Sequence, residues 1–261
     1  MHVKTSRGAA IIAAMLVTAV VAALAAGMFT QINRWLARTD AAREAAQAQS
    51  LASAGVRWAA QYLNEESRLG PLDHLGELWA SGLPPTPIEG GTMGGRIVDA
   101  QGKFNINNLV KADKSISEPD VALARALCAE LQIPAAQLEV LSRFISQKMA
   151  LSLADPPAFA AHGSVFTALP TRTPINVNTA SPFLLQRIAG DKTQQVRDER
   201  VTRPFQSMAD FAARTGTTPT VELSGATNFF EVEVEAAVGS GRAREWALAQ
   251  RGKGVQWQVA M

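Results

Sequence analysis

The chain has 261 residues, of which 18% are charged, and a net charge of +2. That near-neutral balance gives no bulk electrostatic reason to expect a nucleic-acid or acidic partner. The single cysteine, Cys128, excludes an internal disulfide and a CxxC-type metal site. It sits in ALARALCAELQ, where apolar residues recur at helical spacing, so it is expected to be a small buried core residue.

The N-terminus begins with the basic stretch MHVKTSR and then runs from Ala9 to Phe29, 21 residues, without a charge. As a helix that run spans about 31 Å, close to the ~30 Å hydrocarbon core of a bilayer. Lys4 and Arg7 ahead of it predict a short cytoplasmic N-terminus, with the bulk of the chain across the membrane. Taken alone, the run fits three origins. It could be a cleaved signal peptide, with Ala23-Leu24-Ala25 as a small-x-small site. It could be a plain signal anchor, or the assembly helix of a subunit that leaves the membrane to join a fibre. The following stretch favours the third. No proline interrupts residues 9–66, and only Gly27 and Gly55 weaken the helix. Leu51, Val56, Trp58, Ala59, Tyr62 and Leu63 form an apolar face, opposite solvated Arg43, Glu44, Gln47 and Gln49. A cleaved signal rarely flows into so long an amphipathic helix.

Beyond the helix, Gly70-Pro71, Gly82 and the run LPPTPIEGGTMGG read as loop. GRIVDAQGKFNINNLV reads as a hairpin, with one strand over Arg96–Ala100, a turn at Gln101-Gly102 and a second strand over Lys103–Leu109. Asn105, Asn107 and Asn108 are expected to bond local backbone. From Lys111 to about Thr220 the pattern is helical. Ser117 is a candidate N-cap, with Glu118, Pro119 and Asp120 in the first turn. Ile133, Leu138, Leu141, Phe144 and Ile145 form a stripe. Thr179 or Ser181 caps a helix with Pro182 in its first turn. TQQVRDERV and SMADFAART give two more short helices. The last segment is a meander. Phe230, Val232 and Val234 alternate with Glu231, Glu233 and Glu235, the glutamates forming a solvated face, and Arg251–Gly254 make the turn before the final strand. Strands on both sides of the helical stretch make it an insertion into a sheet.

No catalytic constellation appears. His2, His74 and His162 are the only histidines, and none stands in a paired metal or catalytic spacing. No nucleophile elbow, Walker A or dinucleotide fingerprint occurs, so the chain is not expected to be an enzyme. The PINVNTASPFLLQRIAGDKTQQVRDERV stretch resembles a helix-hairpin-helix, which binds DNA phosphate through backbone N–H groups. Its turn, Ala189-Gly190-Asp191-Lys192, lacks a G-x-G and carries Asp191 where a phosphate would sit. Asp191, Asp198 and Glu199 interrupt the basic Arg187, Lys192, Arg197, Arg200 and Arg203. No nucleic acid is therefore expected, although a membrane-anchored or secreted DNA-binding protein stays as the alternative.

The basic leader ending in Arg7-Gly8, followed by Ala9-Ala10-Ile11-Ile12-Ala13, resembles the type IV pilin and type II secretion pseudopilin family. The D-x-Q-G-K-x-N-x-N run at Asp99–Asn107, the helical insertion and INVNTA are similar to its K-type minor pseudopilins. The resemblance implies an α+β fold, in which a long N-terminal helix packs on an antiparallel sheet carrying an inserted all-α, SAM-like domain. The implied organisation is a prepilin leader (1–8), a transmembrane assembly helix (9–33) and its amphipathic continuation (34–66). A pilin-like β head (67–110 and 222–261) and the α insertion (111–221) complete it. The family implies prepilin peptidase cleavage between Gly8 and Ala9, and N-methylation of Ala9. Ala13 stands where most members carry a glutamate, whose lone charge in the bilayer is costly unless a neighbour's ammonium pairs with it. A subunit without it suits a first-in-place, tip position. Ile11, Ile12, Met15, Leu16, Val20 and Leu24 form the implied assembly interface. The implied partners are the I- and J-type minor pseudopilins, the major pseudopilin, prepilin peptidase and the inner-membrane assembly platform. The implied location is the inner membrane of a Gram-negative bacterium, single-pass, with the globular part in the periplasm. A minor pilin of a type IV pilus is a further alternative. Some relatives bind calcium, but Phe144–Lys148 lacks the carboxylates this needs, so no cofactor is expected.

Overall fold

The computed structural model describes residues 6–66, 70–146 and 161–260. A single helix, α1, runs over Ser6–Glu66, 61 residues or about 90 Å. From Ala10 to Arg43 every residue is exposed, and Glu44 is the first to be covered. Beyond it Ala48, Ala52, Val56, Ala59, Ala60 and Leu63 are buried at helical spacing. Four of these six are alanines, so the helix lies close against its neighbours. Trp58 departs from the expected stripe: it is 59% exposed and stacks on Tyr62, with ring centroids 5.8 Å apart. It sits at the margin of the stripe, beside the face that Ala59 and Leu63 bury.

The helix packs on a five-stranded antiparallel sheet, ordered β1-β2-β7-β8-β9. Its strands are β1 (Leu83–Ile88), β2 (Gly91–Asp99), β7 (Phe229–Val238), β8 (Gly241–Gln250) and β9 (Gly254–Ala260). Two come before the helical stretch and three after it, so that stretch is an insertion. Phe230, Val232, Val234, Ala236, Ala247 and Ala249 face the helix. Gly55 permits the closest approach, since a Cβ there would lie 2.7 Å from Met93 Sδ and 2.8 Å from Val234 Cγ1.

The hairpin expected over 96–109 is not formed. The hairpin lies one step earlier, β1 to β2, and turns at Glu89-Gly90, where Gly90 takes φ +87°. Pro84, Pro85 and Pro87 are accommodated because β1 is an edge strand, whose missing N–H groups are not all needed for pairing. After β2 the chain turns through a short 3₁₀ segment, Ala100–Gly102, into the inserted unit. There β3 (Phe104–Asn105) pairs in parallel with β4 (Phe166–Thr167), and β5 (Ile175–Asn176) with β6 (Leu223–Ser224).

The glutamate row is also not simply solvated. Glu233 is buried and Glu231 half-buried, because Arg96 and Arg244 cover the first and Lys103 the second. Glu235 alone of the three is exposed.

The inserted unit holds α2 (Glu118–Glu130), α3 (Ala135–Ser146), α4 (Pro182–Ala189), α5 (Thr193–Thr202) and α6 (Met208–Thr215). Their apolar sides share one core, with Leu127, Leu184, Leu185, Val196 and Phe211 at its centre. Cys128 is buried in it, and desolvation pushes its thiol up to about 11. Ile133, Leu138 and Leu141 are buried as expected, whereas the side chains of Phe144 and Ile145 lie outside the described residues. Ser181 caps α4 by accepting from Leu184 N. Ser117 precedes α2, but its hydroxyl donates to Asp120 Oδ2 at 2.6 Å instead of capping backbone.

Candidate functional site

The free half of α1 is the first candidate. Ile11, Ile12, Met15, Leu16, Val20 and Leu24 are each 50–68% exposed. Ile12, Leu16, Val20 and Leu24 follow one another at i, i+4, the spacing of a ridge that packs into a neighbouring helix's groove. Val17, Val21, Met28, Phe29 and Ile32 are equally open, so apolar side chains surround the helix. Its hydroxyls are satisfied internally: Thr18 donates to Ala14 O and Met15 O, and Thr30 to Gly27 O. That arrangement suits a medium with no water to bond. The helix is long and apolar enough to cross a membrane once, and it fits a single membrane anchor. Ala13 lies in this open stretch. The Gly8 and Ala9 backbones are helical, and nothing is described of the Ala9 side chain.

The second candidate is the joint between helix and head. At its lower end Ser240 donates its N–H and hydroxyl to Glu44 Oε2, at 2.7 and 2.6 Å. Those bonds hold the Glu44 carboxyl below its usual range. A Cβ at Gly241 would lie 2.5 Å from the Glu44 carbonyl carbon, so only glycine lets the β7–β8 turn sit this close. Midway, Ser53 donates to Glu245 Oε2 at 2.7 Å. At the upper end Arg251 donates to Leu63 O, to Thr227 O and to both Asp73 oxygens. Its guanidinium also lies over Phe230, 5.0 Å from the ring centroid.

The third is the seam between the sheet and the inserted unit. Asp99, at the end of β2, is fully buried. It accepts from Gln101 N (2.7 Å), Asn176 Nδ2 (2.7 Å) and Thr179 Oγ1 (2.6 Å). Desolvation raises its pKa to about 6 against those bonds. Asn176 also donates to Asp73 O, linking the seam to the joint. Of the asparagines expected to serve local backbone, Asn105 does so, accepting from Asn107 N at 3.1 Å, and all three also reach across the unit. Asn105 donates to Thr171 O, Asn107 to Leu169 O and Asn108 to Thr173 O, while Asn178 bonds Phe205 O. Their sequence separations, 27 to 66 residues, hid these roles.

The basic residues of the helix-hairpin-helix-like stretch are partly committed to structure. Arg187 pairs with Glu130, and Arg200 donates to Val177 O and Ala180 O. Among the described residues no group of three or more His, Cys, Asp or Glu side chains comes together.

A long helix, apolar in its free half, continues into an antiparallel head that carries a helical insertion, an α+β arrangement. The chain is 29% identical to type II secretion system protein K of Pseudomonas aeruginosa over 303 aligned positions, covering 96% of this chain and 90% of that protein. No family model matches. Among solved structures it resembles a chain of the GspK-GspI-GspJ complex of the enterotoxigenic Escherichia coli type 2 secretion system. The TM-score is 0.66 at 18% identity, over 86% of this chain and 99% of that one. Along nearly its whole length the chain is a homologue of type II secretion system protein K.

Proposed function

We propose that this chain is the minor pseudopilin at the tip of the type II secretion pseudopilus. There it initiates and caps assembly with I- and J-type partners and so supports export of folded proteins. Its work is structural, not catalytic. The observation that carries the reading is the open apolar helix with alanine at position 13. A carboxylate there would need a neighbour's ammonium to offset its burial; alanine needs no subunit above it. The inserted unit supports the same end position. It meets the head beside Asp73 and Asn176, near the end of α1, while the free helix leaves from Glu44 at the other end. Bulk at that end of the head obstructs addition of a further subunit. The helix would lie in the inner membrane before assembly, with the head in the periplasm, after prepilin peptidase has cut between Gly8 and Ala9. The major pseudopilin and the assembly platform are the remaining expected partners.

Co-expression of the full chain with the I- and J-type pseudopilins of its host, followed by affinity purification in detergent, tests the reading. A three-way complex is expected. Recovery of the chain alone would contradict it.

A further inference from the structure

The turn of α1 just beyond the apolar run carries Arg34, Trp35 and Arg38. All three are exposed, Trp35 by 64%, and neither arginine makes an ion pair or side-chain hydrogen bond among the described residues. Arg34 and Arg38 are four residues apart and therefore share a face. The uncharged run fills about 31 Å up to Phe29, so Arg34 lies about 7 Å and Arg38 about 13 Å beyond the hydrocarbon boundary. The headgroup layer there is about 5–8 Å thick. Helical side chains lean toward the N-terminus, here toward the bilayer, and an arginine stem is long enough for both guanidinium groups to reach back into that layer. Trp35 adds the amphipathic ring favoured at this depth. The head does not intervene. Its first contact, Ser240 on Glu44, lies about 22 Å beyond Phe29, leaving the arginine turn bare.

We infer that Arg34 and Arg38, with Trp35, form a docking site for the phosphates of anionic phospholipid headgroups, holding the unassembled subunit at a fixed depth. Planar guanidinium groups match phosphate oxygens in pairs. Asp40 is the nearest acidic residue along the helix, beyond Arg38 on the side away from the bilayer. The inference rests on the apolar run lying in a bilayer, and not on the tip assignment.

The test is the full chain reconstituted in phosphatidylcholine vesicles that hold trace spin-labelled phosphatidylglycerol or phosphatidylcholine. The motionally restricted lipid is read by electron paramagnetic resonance. The expected result is a preference for phosphatidylglycerol that falls several-fold in Arg34→Gln/Arg38→Gln. It is retained in Arg34→Lys/Arg38→Lys and in Arg57→Gln, whose site lies on the head-bound half. A residual preference in the double variant belongs to Lys4 and Arg7. Vesicle-borne chain with the same preference in wild type and the double glutamine variant would overturn this inference alone. Failure of the wild-type chain to float with vesicles would overturn the membrane reading with it.

Discussion

Arg251 clasps Asp73 with two hydrogen bonds, Nη2 to Oδ1 at 2.7 Å and Nη1 to Oδ2 at 2.9 Å, across 178 residues of chain. The Asp73 side chain is 3% exposed and that of Arg251 16%, so the pair is desolvated. Asp73 also accepts from Thr227 N at 2.7 Å, while Arg251 caps the last turn of α1 through Leu63 O. One ion pair therefore ties the end of the helix to the sheet and, through Asn176, to the inserted unit. Removing one partner of a buried pair leaves the other charge uncompensated, which costs about 3–5 kcal/mol. Asp73→Ala is expected to destabilise the head by about that much, read by urea unfolding of the full chain in detergent. A loss below about 1 kcal/mol would mean that water replaces the carboxylate.

Gly55 sets two effects against each other. Alanine in a helix interior gains about 1 kcal/mol over glycine. Here its Cβ would meet Val234 Cγ1 at 2.8 Å and Met93 Sδ at 2.7 Å. Methionine can move aside, but the β-branched valine on β7 cannot turn away as freely. Overpacking costs about 1–3 kcal/mol, so Gly55→Ala is expected to be neutral to destabilising despite its better propensity. A clear rise in melting temperature would show that the helix can lift off the sheet at no cost.

Gly241 fixes where the helix leaves the head. Gly241→Val would drive its side chain into the Glu44 backbone and break the Ser240 bonds. The expected result is faster amide exchange over residues 41–48, with the α2–α6 core unchanged. Uniform acceleration throughout the head would point to global unfolding instead.

Asp99 gives a pH dependence with a definite sign. Its folded pKa, about 6, lies well above the ordinary aspartate value, so the folded chain holds the proton more tightly. Its contribution to stability is full below the unfolded value and is lost as pH rises through the folded one. The difference is about 3 kcal/mol. Glu44, held low by Ser240, contributes in the opposite sense but is only partly covered, so solvent screens it. Asp99→Asn removes the titration. The stability gap between wild type and variant should therefore move by about 2–3 kcal/mol in the variant's favour between pH 4 and 7. A gap that does not change with pH would mean that the carboxyl titrates normally.

The long helix was legible because proline is absent from residues 9–66, and the β7 pattern because Phe230, Val232 and Val234 alternate strictly with glutamates. The α4 cap was legible only to Thr179 or Ser181; Ser181 takes it, while Thr179 donates to Asp99. What escaped depends on tertiary context. Pro84, Pro85 and Pro87 signal a loop, yet an edge position lets them stand in β1. Glu233 looks like surface until Arg96 and Arg244 close over it from neighbouring strands. Asp73 and Asp99 look like ordinary loop and turn carboxylates, because their side-chain partners lie 77 or more residues away in sequence. The exposed apolar half of α1 was the easiest part of the candidate site to read, since none of the described residues folds back over it.

The central claim is that the apolar helix is retained as an assembly helix after the leader is removed. The most direct test is the mass of the N-terminal peptide of the mature chain, taken from the membrane fraction of a host with a type II secretion system. The account predicts a chain that begins at Ala9, carries one methyl group on its α-amine and still contains Ile11 to Leu24. A chain free of the membrane that begins near Ala26 would contradict it, for the surface on which assembly depends would then have been cut away.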